Sequence, residues 1–143
     1  MIRQFRGKYS PFSNFSFHTV ALENIVFPTG EHAFQCYKAK TEDGFDAVLE
    51  APTPSNAKRI ARQIDMRDDW EEVKDEVMYN VIKAKVEQHR DVKELLLSTG
   101  DEEIQEGNTW GDEYWGVSLP SGRGRNQLGK TWMRVRRELQ NAQ

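Results

Sequence analysis

Apolar and polar positions along the chain separate into two irregular ends around a helical middle. Near the N-terminus, Tyr9-Ser10-Pro11-Phe12-Ser13-Asn14-Phe15-Ser16-Phe17 crowds aromatic rings among turn formers. Val20-Ala21-Leu22-Glu23-Asn24-Ile25-Val26-Phe27 then reads as one or two short strands around a Glu-Asn turn. Thr29 predicts an N-cap for the helix that follows, with His32 where a capping box would prefer Glu or Gln. A short helix is expected near Phe45 to Glu50, and Ser55, after Pro52 and Pro54, is placed to cap a helix running through Arg62. Trp70 opens the longest helix, because Val73, Val77, Val81, Ile82 and Ala84 to Val86 keep a helical period as far as His89. Asp91 predicts a cap for Val92 to Ser98, which Gly100 stops. Ile104-Gln105-Glu106 and Tyr114-Trp115-Gly116-Val117 are candidate strands, and a glycine-rich loop leads into a last helix from Leu128 to Leu139. Alternating apolar segments are scarce, so the expected class is mainly α, a helix-rich α+β fold with a few short strands near the termini. Residues 1–143 carry no repeat, linker or low-complexity tract and read as a single compact domain. Phe12, Phe15, Phe17, Phe34 and Trp132 are most simply core.

The helix opened by Thr29 carries the first chemical signal. Residues at i, i+3, i+4 and i+7 share a face, which aligns Glu31, Phe34, Gln35 and Lys38. A carboxylate, an amide and a primary amine thus lie on a stripe where a core helix would show aliphatics. Such a stripe is either a buried ion pair or a site, and Glu31 also suits its own helix N-terminus. Lys38 is equally a solvated helix lysine or a functional amine, and Trp70 a core anchor or a stacking ring. His32 and His89 read as structural, because no second histidine or cysteine stands at metal-ligand spacing. Cys36 has no base in its motif and is a poor thiol nucleophile.

A second cluster lies near the C-terminus. Asn108-Thr109-Trp110-Gly111-Asp112-Glu113-Tyr114-Trp115-Gly116 gathers two tryptophans, a tyrosine and two carboxylates, and Gly122-Arg123-Gly124-Arg125-Asn126-Gln127-Leu128-Gly129 runs into a helix. Glycines before a helix let backbone N–H groups approach an anion, and two arginines add charge. Aromatic rings can stack on a flat heterocycle while Asp112 orients a sugar hydroxyl or a water. The glycine spacing fits neither the dinucleotide fingerprint nor a P-loop.

Charge and cysteine use narrow the classes. With 20 basic against 23 acidic residues the net charge is -3, which does not announce a nucleic-acid binder. A single cysteine excludes a disulfide framework. No apolar run is long enough for a membrane span, and the opening residues lack a signal-peptide core, so the expected location is cytoplasmic with no membrane partner.

Taken in order, the motifs resemble one family. Ser13-Asn14-Phe15, Pro28-Thr29-Gly30-Glu31-His32 with Phe34-Gln35 and Lys38, Pro54 with Ala57-Lys58, and Trp70 with Val73-Lys74 and Val77-Met78 come first. Lys85 with Gln88-His89, Leu95-Leu96-Leu97 and Thr99, Asp112 with Tyr114-Trp115-Gly116, and Gly122, Gly124, Asn126, Leu128-Gly129 and Met133 complete the series. Across nearly the whole chain this resembles the NADAR family, also called YbiA-like. The resemblance implies N-glycosidase chemistry on a ribosylated base or amine. Some members cleave phosphorylated riboflavin-pathway intermediates, and others remove ADP-ribose from guanine in nucleic acid. It also implies that the family's acidic and aromatic site positions fall on Glu31, Trp70 and Asp112. The chain departs from the pattern at Ala61-Arg62, where a Gly-Arg pair is expected, and in having Trp110 just upstream of Asp112.

Breaking a C1–N bond develops positive charge on the ribose and negative charge on the departing base, so a carboxylate near C1 and a proton source are needed. The expected catalytic set is Glu31, Lys38 and Asp112. Either Glu31 activates water, or a neutral Lys38 amine attacks the anomeric carbon and forms a Schiff base with the opened sugar. Trp70, with Trp110 or Trp115, would stack on the base. Gly122, Arg123, Gly124, Arg125 and Asn126 would hold phosphate, and Asn14 would bind ribose hydroxyls. The pocket is expected where the opening helix, the start of the Trp70 helix and the C-terminal loop converge. No metal or other cofactor is called for. The expected partner is an ADP-ribosylated guanine in nucleic acid or a small ribosylated nucleotide. The rivals are a non-catalytic module that binds ADP-ribose or NAD, and an interaction protein with Val73, Val77 and Val81 as its docking face.

Overall fold

A computed structural model describes residues 1–142, and the chain is helix-rich with two sheets of two strands each. It divides into two compact units, one formed by Asn14–His89 and the other by Met1–Ser13 with the chain from Arg90 onward.

In the unit Asn14–His89, β1 (Val20–Leu22) pairs antiparallel with β2 (Ile25–Phe27), with Val20 opposite Phe27. Glu23 and Asn24 take φ 51 and 66, the two left-handed residues of the tight hairpin turn that matches strand twist. Val20 and Phe27 are fully buried. Four helices follow: α1 (Gly30–Tyr37), α2 (Glu42–Leu49), α3 (Pro54–Ala61) and α4 (Trp70–Gln88). Threonine hydroxyls start the first three. Thr29, Thr41 and Thr53 accept from the N–H groups of His32, Gly44 and Asn56 at 3.2, 3.1 and 3.0 Å. The third cap is therefore Thr53 and not Ser55, because Pro54 has no N–H to satisfy and takes the first helical position. The second helix starts at Glu42, ahead of the expected Phe45, because Thr41 caps it. α1 packs against α2, α3 and α4, and β1 lies along α4, where the Gln88 amide donates to Ala21 O and accepts from Ala21 N–H, both at 2.8 Å.

Two expected core residues of this unit are on the surface. Phe15 is 40% exposed and Phe17 93%. The inward places in that stretch are held by Asn14, which is buried, and by Ser16, whose hydroxyl accepts from the fully buried Lys85 ammonium at 2.7 Å. Phe15 and Phe17, which alternate with them, turn outward. Phe34 is core, as expected.

In the other unit, a 3-10 helix at Gly7–Phe12 packs with α5 (Arg90–Ser98), and α5 with α6 (Gln127–Asn141). Trp132 is fully buried, its ring 4.7 Å from that of Phe12 and its indole N–H donating to Phe12 O at 3.1 Å. Ile2, Val92, Leu96, Ile104, Val117, Leu128 and Val135 are buried with them. The strand expectations shift here. Ile104 makes a single bridge to Ile2, and the paired strands are β3 (Gly107–Asn108) and β4 (Val117–Ser118), which run parallel. Tyr114 to Gly116 lies outside any strand, because its neighbourhood is organised by the Asp112 turn described below. Asp91 sits within the first turn of α5 rather than at its cap.

Candidate active site

The α1 stripe forms as the spacing predicts. Glu31 and Gln35 are both buried, and the Gln35 amide donates to Glu31 Oε1 at 2.9 Å. The Glu31 N–H donates to Asn14 O at 3.0 Å, which ties the aromatic loop to the helix start. Gly30 makes that approach possible. A Cβ there would lie 3.0 Å from Asn14 Oδ1 and 3.4 Å from Val81 Cγ1. Asn14 itself is buried, and its Nδ2 donates to Met78 Sδ on α4 at 3.3 Å.

Lys38 follows the last turn of α1 with αR backbone. Burial holds its ammonium below the ordinary lysine range, and the Arg62 guanidinium pushes the same way while Glu31 opposes. The lysine and the Trp70 helix start are joined by a clamp. Arg67 N–H donates to Lys38 O at 3.0 Å, and the Arg67 guanidinium donates to Tyr37 O at 3.4 Å and grips Asp69 with bonds of 2.6 and 3.0 Å. Trp70 N–H in turn donates to Arg67 O at 3.2 Å. The Trp70 ring is buried with its centroid 5.1 Å from that of Phe34. This aromatic pair therefore rests on the same helix face as Glu31 and Lys38.

The neighbours of this face are structural. His32 is buried and shares hydrogen bonds with Thr29 Oγ1 at 2.9 Å and Ala51 O at 2.9 Å. The nitrogen facing that carbonyl oxygen must carry a hydrogen. Burial, with Asp46 adding to it, pushes the Cys36 thiol up to about 12, and its Sγ faces Phe45 O at 3.5 Å. An un-ionised thiol of that kind is no nucleophile.

In the other unit, Asp112 folds its own loop. Its Oδ1 accepts from the N–H groups of Tyr114 and Trp115 at 3.0 and 2.9 Å, while its backbone N–H and C=O pair with the Asn108 amide at 3.0 and 2.9 Å. Trp110 is 60% exposed, and the Trp115 ring stands 4.9 Å from Tyr114. Arg125 lies over the Tyr114 ring at 5.4 Å.

The glycine-rich loop differs from expectation in two ways. Its backbone does not form an anion cradle, because the N–H groups of Gly122, Arg125, Asn126, Gln127 and Leu128 donate to the carbonyls of Ser118, Glu113, Gly116, Tyr114 and Trp115. Arg123 N–H donates to Ser121 Oγ. Gly124, at φ 148, is required for packing, since a Cβ would fall 2.1 Å from Gly116 O. Asn126 is also committed: it is buried in the left-handed conformation, accepts from Glu106 N–H at 3.0 Å and donates to Ile104 O at 2.8 Å. An anion at this loop would meet the Arg123 and Arg125 side chains.

The NADAR domain family model matches residues 2–140. This chain belongs to the NADAR domain family. The NADAR chain is 35% identical to N-glycosidase YbiA of Shigella flexneri, over 92% of this chain and 82% of that protein. It is 33% identical to riboflavin biosynthesis protein VVA0006 of Vibrio vulnificus, over 90% of this chain but 35% of that longer protein. The NMR structure of Escherichia coli YbiA superimposes with a TM-score of 0.88 at 33% identity, covering 99% of this chain and 86% of that one.

Within the NADAR chain, the unit Asn14–His89 brings together Asn14, Glu31, Lys38 and Trp70, and the other unit carries Asp112, Trp110, Trp115 and the two loop arginines. Sequence reasoning missed the Arg67–Asp69 clamp and the Arg62 charge on Lys38. An Arg-x-Asp spacing directly before a helix start was the available signal for the first. Among the described residues, no helix is long and apolar enough to cross a membrane.

Proposed function

We propose that this NADAR protein is a hydrolase that breaks the C1–N bond of a ribosylated base, with a small phosphorylated ribosylaminopyrimidine as its substrate. The observation that carries the reading is the buried α1 stripe, where Glu31 is held by Gln35 and followed two turns later by a lysine whose ammonium is weakened. The names of the aligned relatives, N-glycosidase and riboflavin biosynthesis protein, support the bond and the substrate class.

In this reading Glu31 faces the anomeric carbon, stabilises its developing positive charge and exchanges the protons that hydrolysis moves. Two routes use the same groups. In one, Glu31 takes a proton from water as the water oxygen bonds to C1, the C1–N bond breaks, and Glu31 returns that proton to the departing nitrogen. In the other, the neutral Lys38 amine bonds to C1 as the base departs protonated; the ring opens to an imine, and water then releases the sugar and restores the amine. The lowered Lys38 supports the second route. Trp70 on Phe34 offers an aromatic wall for the base, and Asn14 takes ribose hydroxyls.

The test incubates the protein with a phosphorylated ribosylaminopyrimidine and with an oligonucleotide bearing ADP-ribosylated guanine, and follows sugar release by mass spectrometry. Release from the small nucleotide is the expected result. Release from the oligonucleotide alone would move the substrate to modified nucleic acid, against the net charge of -3. Binding without release from either would make the protein an ADP-ribose- or nucleotide-binding module.

A further inference from the structure

Two buried amide oxygens beside Glu31 have no hydrogen-bond donor. Asn14 and Gln35 are 6% and 8% exposed, and Asn14 Oδ1 and Gln35 Oε1 are both without a partner. The amino ends of the same amides are engaged, Gln35 Nε2 with Glu31 Oε1 and Asn14 Nδ2 with Met78 Sδ. These bonds decide which end of each amide is the oxygen. Turning Gln35 over would set its oxygen against a carboxylate, and turning Asn14 over would set its oxygen against sulfur. Three backbone donors at the start of α1 are occupied as well: Glu31 N–H goes to Asn14 O, His32 N–H to Thr29 Oγ1 and Ala33 N–H to Thr29 O. Buried carbonyl oxygens left this way are rare in native folds, and each one calls for a donor from outside the chain.

We infer that Asn14 Oδ1 and Gln35 Oε1 read the sugar, each accepting a hydrogen bond from one ribose hydroxyl, which makes Gln35 a binding residue that also orients Glu31. The inference rests on the N-glycosidase reading and adds a selectivity to it. Phosphate dianions and carboxylates have no hydrogen to give, whereas the two free hydroxyls of a ribose supply two donors side by side. Binding of this kind requires each amide head to turn far enough to offer its oxygen while its amino end keeps its present partner, Glu31 Oε1 for Gln35 and Met78 Sδ for Asn14. A sugar that lacks one hydroxyl leaves one buried oxygen unsatisfied and is rejected.

The experiment measures equilibrium binding of ribose 5-phosphate, 2-deoxyribose 5-phosphate and 3-deoxyribose 5-phosphate, which resemble the product and avoid the greater lability of deoxyribosyl bonds. Wild-type protein should bind each deoxy sugar on the order of 10- to 100-fold more weakly than ribose 5-phosphate. Gln35→Met should bring one deoxy sugar to within about twofold of ribose 5-phosphate, and Asn14→Leu the other, since each variant removes one acceptor. The wild-type comparison stands by itself if a variant fails to fold. Equal binding of all three sugars would overturn the inference and assign the oxygens to internal waters, and so would binding of none. Equal sugar binding together with turnover of the ribosylaminopyrimidine would sink only the hydroxyl assignment. Sharp hydroxyl discrimination without turnover would instead leave the sugar site standing and remove the hydrolase.

Discussion

Replacing Asn126 by alanine separates a structural role from a substrate contact at the glycine-rich loop. The side chain satisfies two backbone groups, Glu106 N–H at 3.0 Å and Ile104 O at 2.8 Å, and the residue sits at φ 55. Leaving those two groups without partners costs about 1–2 kcal/mol each, and holding alanine in the left-handed region adds about 1 kcal/mol. The sum is about 3–5 kcal/mol, which for a chain of this size lowers the melting temperature by roughly 10–20 °C. Asn126→Gly tolerates the backbone but not the lost bonds, and should recover about 1 kcal/mol of that loss. Differential scanning calorimetry reads both, and KM measured well below the transition should stay within about twofold of wild type if these bonds are the whole role of the side chain. A melting temperature unchanged within a few degrees, together with a raised KM, would instead make Asn126 a substrate contact.

Three further outcomes follow from named groups. A Lys38 nucleophile gives a rate that rises with pH and levels off below the 10.5 of an ordinary lysine, because its lowered ammonium sheds its proton earlier; borohydride added during turnover should then trap a sugar adduct that Lys38→Arg abolishes, and a rate with no such limb and no adduct would favour water activated by Glu31. Cys36 should resist iodoacetamide at pH 8 in the folded protein, since its thiol is pushed up to about 12, and Cys36→Ser should retain turnover; rapid alkylation of the native protein would contradict that burial. Arg123→Ala with Arg125→Ala should raise KM for a phosphorylated substrate on the order of tenfold or more, with little change in kcat; an unchanged KM would remove the loop arginines from phosphate binding.

Where local chemistry decides structure, the sequence was legible. Thr29 caps α1, Glu23 and Asn24 make the hairpin turn, and the Trp70 helix runs to Gln88. The acid, amide and amine of α1 were visible for the same reason, since helical spacing aligns them. Tertiary contacts hid the rest. Phe15 and Phe17 look like core by type, yet Asn14 and Ser16 take the inward places because Met78, Glu31 and Lys85 meet them from distant positions. The two-residue parallel pair at Gly107 and Val117 has no periodicity to detect. The glycines of 122–129 suggested a phosphate cradle, but their loop carries its hydrogen bonds inward to residues 113–118.

Whether Glu31 drives cleavage of the C1–N bond is read from single-turnover release of the free base from a phosphorylated ribosylaminopyrimidine by wild-type and Glu31→Gln protein at equal ligand occupancy. The wild type should release stoichiometric base and sugar phosphate, and the variant, which keeps the shape of the carboxylate but loses its charge and its proton exchange, should be at least about 100-fold slower. Equal rates for the two proteins, or a fully occupied wild type that releases nothing, would contradict that role for Glu31.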